Sequence, residues 1–226
     1  MDLLAPIHPY PASADAVCWW RNDDGIFTVK SVYSVIRDRD LEVAVDNKVV
    51  AFLNKFWKSH VPSKIKVFGW RVLHNRLPSK DQLVKRGIIN NSQDKWCVLC
   101  MEEVKDLNHL LFKCGVSLKV WSGIFAWLGL QNMLLLDGVY HLEQLCLALK
   151  GRVNKKKLCN IWLATVWTIW NTSNKIIFNE GVLAIDDVTT NIKVTSWIWQ
   201  AIGSSGEKVS PFYNWYQAPL ISINVV

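Results

Sequence analysis

Apolar residues recur every three to four positions over most of the chain, which is the spacing of helices that bury one face. Pro62 suits the first turn of a helix, and Ile65, Phe68 and Val72 follow it at this spacing. The stretch "VSLKVWSGIFAWLGL" (116–130) repeats the pattern. These segments predict a mainly α fold.

The segment "LPSKDQLVKRG" (77–87) carries both the start signal and the stop signal of a short helix. Ser79 and Gln82 fit a capping box, in which each side chain bonds the backbone of the other residue. Gly87 fits a C-terminal stop, because glycine accepts the left-handed conformation that ends many helices. We therefore expect a complete helix between these signals.

The C-terminal half is also predicted to be helical, with three helices over residues 139–203. In one of them Leu158 and Trp162 lie on one apolar stripe, while Trp167 and Trp170 fill other sides. A helix that is apolar all round is either buried or covered by a partner.

The N-terminal segment departs from the helical period. In "AVCWWRNDDGIFTVK" (16–30), β-branched and aromatic residues flank Asp24-Gly25, a dipeptide typical of β-hairpin turns. The sequence therefore predicts one N-terminal β-hairpin. Ser31 then suits the N-cap of a helix that carries Val32.

The chain carries a net charge of +7, and one segment holds the whole excess. Residues 55–86 contain nine basic side chains and one acid, Asp81, so this segment sums to +8 and the rest to −1. Such a patch suits a phosphate backbone, although an ordinary solvated helix face has the same composition. The candidate nucleic-acid-binding residues are Lys64, Lys66, Arg71, Arg76, Lys85 and Arg86.

Four metal-ligating side chains lie within the stretch "WCVLCMEEVKDLNHLLFKC", at Cys97, Cys100, His109 and Cys114. A C-x2-C turn can point two thiolates at one centre, and a second pair separated by four residues is typical of zinc fingers. We predict a zinc site, against the alternative of four side chains that are close only in sequence. Four protein ligands leave no position for a reactive water, so the zinc is expected to be structural.

The backbone around the second ligand pair has its own signals. Asp106 suits the N-cap of a short helix, and Gly115 suits its end. On a regular helix, positions five apart point about 140° away from each other. Cys114 should therefore lie where this helix ends or tightens, with the apolar residues 110–112 packed beneath the metal.

The remaining chemistry is predicted to be structural. The sequence has no phosphate-binding glycine loop, no serine-nucleophile elbow and no zinc-protease motif, so no catalytic residue is assigned and an enzyme is not expected. The thirteen tryptophans are interpreted mainly as core anchors, with a surface for base stacking or for a partner as the alternative. Without a secretory signal or a transmembrane stretch, we expect an intracellular protein of the nucleus or cytoplasm, with no membrane partner and no small-molecule substrate.

Three motifs together resemble the zinc-binding domain that follows the reverse transcriptase in plant non-LTR (LINE-type) retroelements. They are "GIFTVKSVY" (25–33), "FWKSHVPSKIKVFGWRVLHNRLPSKDQLVKRG" (56–87) and the cysteine-histidine motif with its following "VW" (120–121) and "WLGL" (127–130). The resemblance implies that Cys97, Cys100, His109 and Cys114 are the metal ligands. It departs at Lys105, where the family commonly has glutamate, and at "NTSNK" (171–175), where it commonly has an arginine-asparagine pair.

The resemblance implies a division into a tail (1–14), a reverse transcriptase zinc-binding domain (15–130), a C-terminal helical segment (139–203) and an irregular tail (204–226). It implies a non-catalytic module that binds RNA or DNA without sequence preference, near a reverse transcriptase or ribonuclease H domain. The alternative is an inert or protein-interaction remnant of a retroelement polyprotein that lacks the polymerase and ribonuclease H domains. An enzyme name attached to such a chain would describe the parent polyprotein.

Overall fold

The computed structural model describes residues 18–20, 22–40, 56–59, 61–87, 96–103, 106–130, 138–149, 155–179, 184–203 and 209–223. The helices are α1 (Val29–Asp40), α2 (Ser63–Leu73), α3 (Lys80–Lys85), α4 (Gly115–Trp127), α5 (Gly138–Ala148), α6 (Lys155–Asn179), α7 (Ile185–Gly203), α8 (Phe212–Gln217) and α9 (Pro219–Ile223), with a π-helical segment at His109–Lys113. The mainly helical prediction is confirmed. No described helix combines the length and apolarity needed to cross a membrane.

The chain forms two units, Met1–Asp46 and Asn47–Val226. In the second unit α6 lies at the centre and packs against α2, α5, α7 and the π-helical segment. Leu158, Trp162 and Val166 on α6 are fully buried, whereas Trp167 and Trp170 pack at the edge of the core. Of the two alternatives for this apolar helix, burial within the chain is therefore the one observed.

Helix α2 follows the sequence signals closely. Pro62 precedes its first residue, and Ile65, Phe68 and Val72 are buried against the core. At Gly69 the neighbouring helix comes so close that a Cβ atom would stand 2.3 Å from a methyl carbon of Leu163. The missing side chain therefore fixes the separation of α2 and α6.

The predicted N-terminal β-hairpin is not present in the described residues of 16–30. They form a turn in which the backbone N–H of Ile26 donates to the Asp24 carboxylate, and the Asn22 side-chain amide donates to the Ile26 carbonyl. These local bonds occupy the two backbone groups that a β-ladder would need at Ile26.

Several boundary signals act differently from their predicted roles. The cap of α1 is Thr28, whose hydroxyl accepts the Ser31 backbone N–H, so the cap lies three residues before the predicted one. Ser79 precedes α3 but makes no capping bond, because its hydroxyl donates to Asp81 instead. Gly87 does end this helical stretch, with a φ of +67°.

The predicted irregular tail also contains ordered structure. Helices α8 and α9 lie within it, and Trp215 of α8 is fully buried with its indole N–H donating to the Lys193 carbonyl at 3.1 Å. The two helices have only six and five residues, which is too short for apolar periodicity to predict a helix.

Candidate metal centre

The first ligand pair lies on a tight turn. The Met101 backbone N–H donates to the Cys97 carbonyl at 2.8 Å, and the Cys97 N–H donates to the Glu103 carbonyl at 2.7 Å. Met101 adopts a φ of +57°, which is uncommon for a residue other than glycine. The chain thus folds back on itself at this point, and Cys97 and Cys100 lie on the same side of the turn.

The second pair lies at the two ends of the π-helical segment His109–Lys113. The Asp106 carboxylate accepts the His109 backbone N–H at 2.6 Å, so Asp106 caps this segment as predicted. The Cys114 N–H then donates to the His109 carbonyl at 2.7 Å, which is the five-residue bond of a π-helix. This bond places the backbones of both ligands next to each other.

The helix therefore widens before Cys114, where the sequence allowed either an end or a tightening. Cys114 has a φ of −59° and a ψ of 133°, so the segment also ends there. Gly115 is not the stop that the sequence indicated, because it is the first residue of α4. On a regular helix His109 and Cys114 would point in different directions, and the wider π-helical turn brings them to the same side.

All four ligand atoms lie within 4.8 Å of one another. The Cys97 and Cys114 sulfurs are 3.9 Å apart, and the Cys100 sulfur is 3.3 Å from Nε2 of His109. Zinc–sulfur bonds of about 2.3 Å and zinc–nitrogen bonds of about 2.0 Å place tetrahedral ligands about 3.5–3.8 Å apart. The arrangement therefore fits a tetrahedral ion with three sulfur ligands and one nitrogen ligand.

Burial and charge also suit a cation at this position. Cys97 and Cys114 are fully buried, and His109 is nearly so. The hydrogen bond between the two sulfurs lowers the pKa of Cys97 to about 4, while that bond and burial raise the pKa of Cys114. The pair thus keeps one proton that a metal ion must displace, as metal-binding thiols generally require.

His109 has a second contact that the sequence did not indicate. Its Nδ1 lies 2.8 Å from a carboxylate oxygen of Glu103, at ion-pair distance but without the alignment of a hydrogen bond. Glu103 is exposed, so the contact orients the ring rather than adding much stability. Carboxylates commonly orient metal-ligating histidines by accepting the N–H of the second ring nitrogen. Here Glu103 lies beside Nδ1, while Nε2 faces the centre.

Comparison with known proteins agrees with this geometry. Residues 27–121 match the family model described as zinc-binding in reverse transcriptase. This stretch, which is less than half of the chain, is similar to that family. The four clustered side chains all lie within the matched residues.

A relative in Arabidopsis thaliana, which carries the name of a ribonuclease H protein, is 26% identical over 107 residues. The similarity covers 47% of this chain but only 16% of that protein. The chain therefore matches a small part of its relative's length. No solved structure matches the chain significantly.

The other cysteines do not join the cluster of four side chains. Cys146 and Cys159 are buried, and Cys18 is exposed. This distribution fits their predicted core or incidental roles.

The six basic residues predicted for nucleic acid fall into different environments. Lys66 donates to the Trp57 carbonyl at 2.9 Å, and burial lowers its pKa. Arg76 stacks over the Trp70 ring at 5.7 Å, and Lys85 pairs with Asp81 at 3.5 Å. Lys64, Arg71 and Arg86 are exposed.

Proposed function

We propose that the chain is a non-catalytic module in which a structural zinc ion holds a helical unit that binds nucleic acid. The observation that carries the proposal is the cluster of four ligand atoms within 4.8 Å, three of them sulfur. Cysteine-rich donor sets of this kind select zinc among the common divalent ions.

Cys97, Cys100, His109 and Cys114 would hold the ion, and its role would be to fasten the turn at Cys97–Cys100 to the π-helical segment. Leu110, Leu111 and Phe112, between the ligands, are buried in the core, which links the site to α4 and α6. A filled tetrahedron leaves no place for a substrate or water, which supports a structural role.

Zinc stoichiometry tests the site directly. Wild type and Cys18→Ser, an exposed cysteine outside the cluster, should each carry one zinc per chain under reducing conditions. Cys97→Ser should carry far less, because three ligands hold the ion weakly. A wild-type content below about half an ion per chain would contradict the proposal.

Nucleic-acid binding is supported by the charge of residues 55–86 and by the exposure of Lys64 and Arg71. Phosphate contacts release counterions, so the logarithm of the affinity should fall linearly with the logarithm of salt, by about 0.7–0.9 per contact. Lys64→Ala and Arg71→Ala should each reduce that slope by one contact, whereas Lys119→Ala on α4 should not. A wild-type affinity that does not change with salt would exclude phosphate binding.

A second candidate is an interaction remnant that once packed against other domains. Several large apolar side chains of the second unit are more than 70% exposed, namely Phe178, Ile202, Tyr213 and Ile221. Such residues favour association when they are contiguous. Sedimentation distinguishes the two candidates, since a monodisperse monomer counts against the remnant.

A further inference from the structure

A groove of about 430 Å³ runs along α2 and α6. Its aromatic residues are Phe68 from α2 and Trp167 and Trp170 from α6, and its two charged residues are Lys64 and Arg71. Among the residues that the structure describes, no acidic side chain lines it. The groove is therefore basic and aromatic, and its size is that of a small-ligand site.

The register of α2 produces this arrangement. Lys64, Phe68 and Arg71 are spaced by four and three residues, so they follow one side of the helix. Phe68 is buried at the base, while both cations are exposed. The two charges therefore lie two helical turns apart, with an aromatic ring between them.

The opposite wall is held in place by the core. Phe68 meets Trp167 edge to face at 4.9 Å and Trp170 at 6.3 Å, with a tilt of 50°. The close approach at Gly69 fixes the distance between the two helices. Both tryptophans are partly exposed at the edge of the core, so the wall is rigid and still accessible.

Alternating cations and aromatic rings match the alternation of phosphates and bases along a strand. Base stacking on aromatic side chains requires an unpaired base, because the faces of paired bases are covered by their neighbours in the duplex. An acidic peptide could use the two cations, but only a nucleic-acid strand carries both a phosphate and a stacking ring in every repeat unit.

We infer that this groove receives one unpaired base of a single-stranded nucleic acid, with the neighbouring phosphates on Lys64 and Arg71. The inference rests on the proposed nucleic-acid function and narrows it to single strands. It also gives Trp167 and Trp170 a role in binding in addition to their role in packing.

The test measures the fluorescence anisotropy of a labelled oligouridine of about 12 nucleotides with the zinc-loaded full chain. The same strand is also measured after it has been annealed to its complement. A third measurement tests whether uridine monophosphate competes with the single strand. We expect the single strand to bind at least about tenfold more tightly than the duplex, and the mononucleotide to compete poorly because it lacks the second phosphate contact.

Substitutions locate the binding site. Trp167→Leu and Trp170→Leu should each weaken single-strand binding by about fivefold or more while leaving duplex binding unchanged. Trp197→Leu is the matched control, since Trp197 is equally half-buried but lies on α7 outside the groove. If a leucine variant melts early, Trp167→Tyr retains a ring and should bind nearly as tightly as wild type.

The outcomes distinguish failure of the groove from failure of the proposed function. If neither single strand nor duplex binds, the proposed function fails and the inference fails with it. Equal binding of single strand and duplex, unaffected by Trp167→Leu, overturns the groove but leaves the proposed function intact. Tight binding of uridine monophosphate alone would also overturn it, because the ligand would then be a free nucleotide.

Discussion

His141 is a fully buried imidazole in an aromatic cluster of the core. Its ring lies 4.2 Å from the ring of Trp121 and 5.0 Å from that of Phe112, and its Nδ1 accepts the indole N–H of Trp162 at 3.2 Å. Burial lowers the pKa of His141 from 6.5 to about 4. The neutral ring is thus part of the packing.

This histidine should make folding sensitive to acid. Below pH 6.5 the unfolded chain binds a proton at this ring and the folded chain does not, so stability is lost as the pH falls from 6.5 towards 4. The full loss is about 3 kcal/mol. Urea unfolding of wild type and His141→Phe at several pH values measures this loss. The comparison isolates the histidine, because acid release of the metal affects both chains alike. Parallel pH dependence of the two chains would contradict the prediction.

Gly69→Ala should destabilise the second unit. Its methyl group would stand 2.3 Å from Leu163 and 2.6 Å from Phe56, and overpacking of this kind costs about 1–3 kcal/mol. Gly123→Ala is the control, because its Cβ would make an ordinary 3.5 Å contact with Thr189 and alanine favours the helix. Thermal unfolding compares them. The prediction fails if Gly69→Ala is as stable as Gly123→Ala.

Residue identity singled out the four side chains that cluster but not their surroundings. Cysteine and histidine at set spacings have few other uses, so Cys97 and His109 could be chosen from the sequence alone. Glu103 could not, because an acid in "MEE" has the composition of any solvated turn. The close helix contact at Gly69 could not be predicted either. It depends on the position of α6, which leaves no room for a side chain there.

At the scale of elements, the π-helical segment joins the metal site to the core. Its end leaves carbonyl groups without helical partners, and two side chains of α4 satisfy them: the Ser117 hydroxyl donates to the Leu110 carbonyl at 2.6 Å and the Trp121 indole to the Leu111 carbonyl at 2.8 Å. Cap signals predicted the first helix here and apolar periodicity the second, but neither predicted the wider turn, which depends on these contacts from the next helix.

Ser117→Ala should therefore weaken both folding and zinc binding. The buried Leu110 carbonyl would lose its donor, which costs about 1–3 kcal/mol, and the segment that carries His109 would be less firmly held. Ser173→Ala is the matched control, since Ser173 is a buried serine that donates to a carbonyl within its own helix. Competition with a zinc chelator measures affinity, and equal affinities for both variants would contradict the coupling.

The second unit as a whole has one core that includes both the metal-binding segment and the C-terminal helices. Phe112 lies between Trp121 of α4 and Trp162 of α6, at 6.2 Å from each ring. The sequence indicated that α6 must be covered, yet its apolar pattern could not identify what covers it. The predicted boundary between residues 130 and 139 thus falls inside a region where both sides share buried side chains.

Truncation tests this shared core. A chain of residues 47–226 should unfold in one cooperative transition, because it keeps every contact of the second unit. A chain of residues 1–130 should not fold cooperatively even with zinc, since Phe112 and Trp121 would lose Trp162 and His141 and face water. Calorimetry with and without zinc measures both chains. A cooperative zinc-dependent transition in residues 1–130 would mean that the metal alone organises its domain, and that the C-terminal helices only cover it.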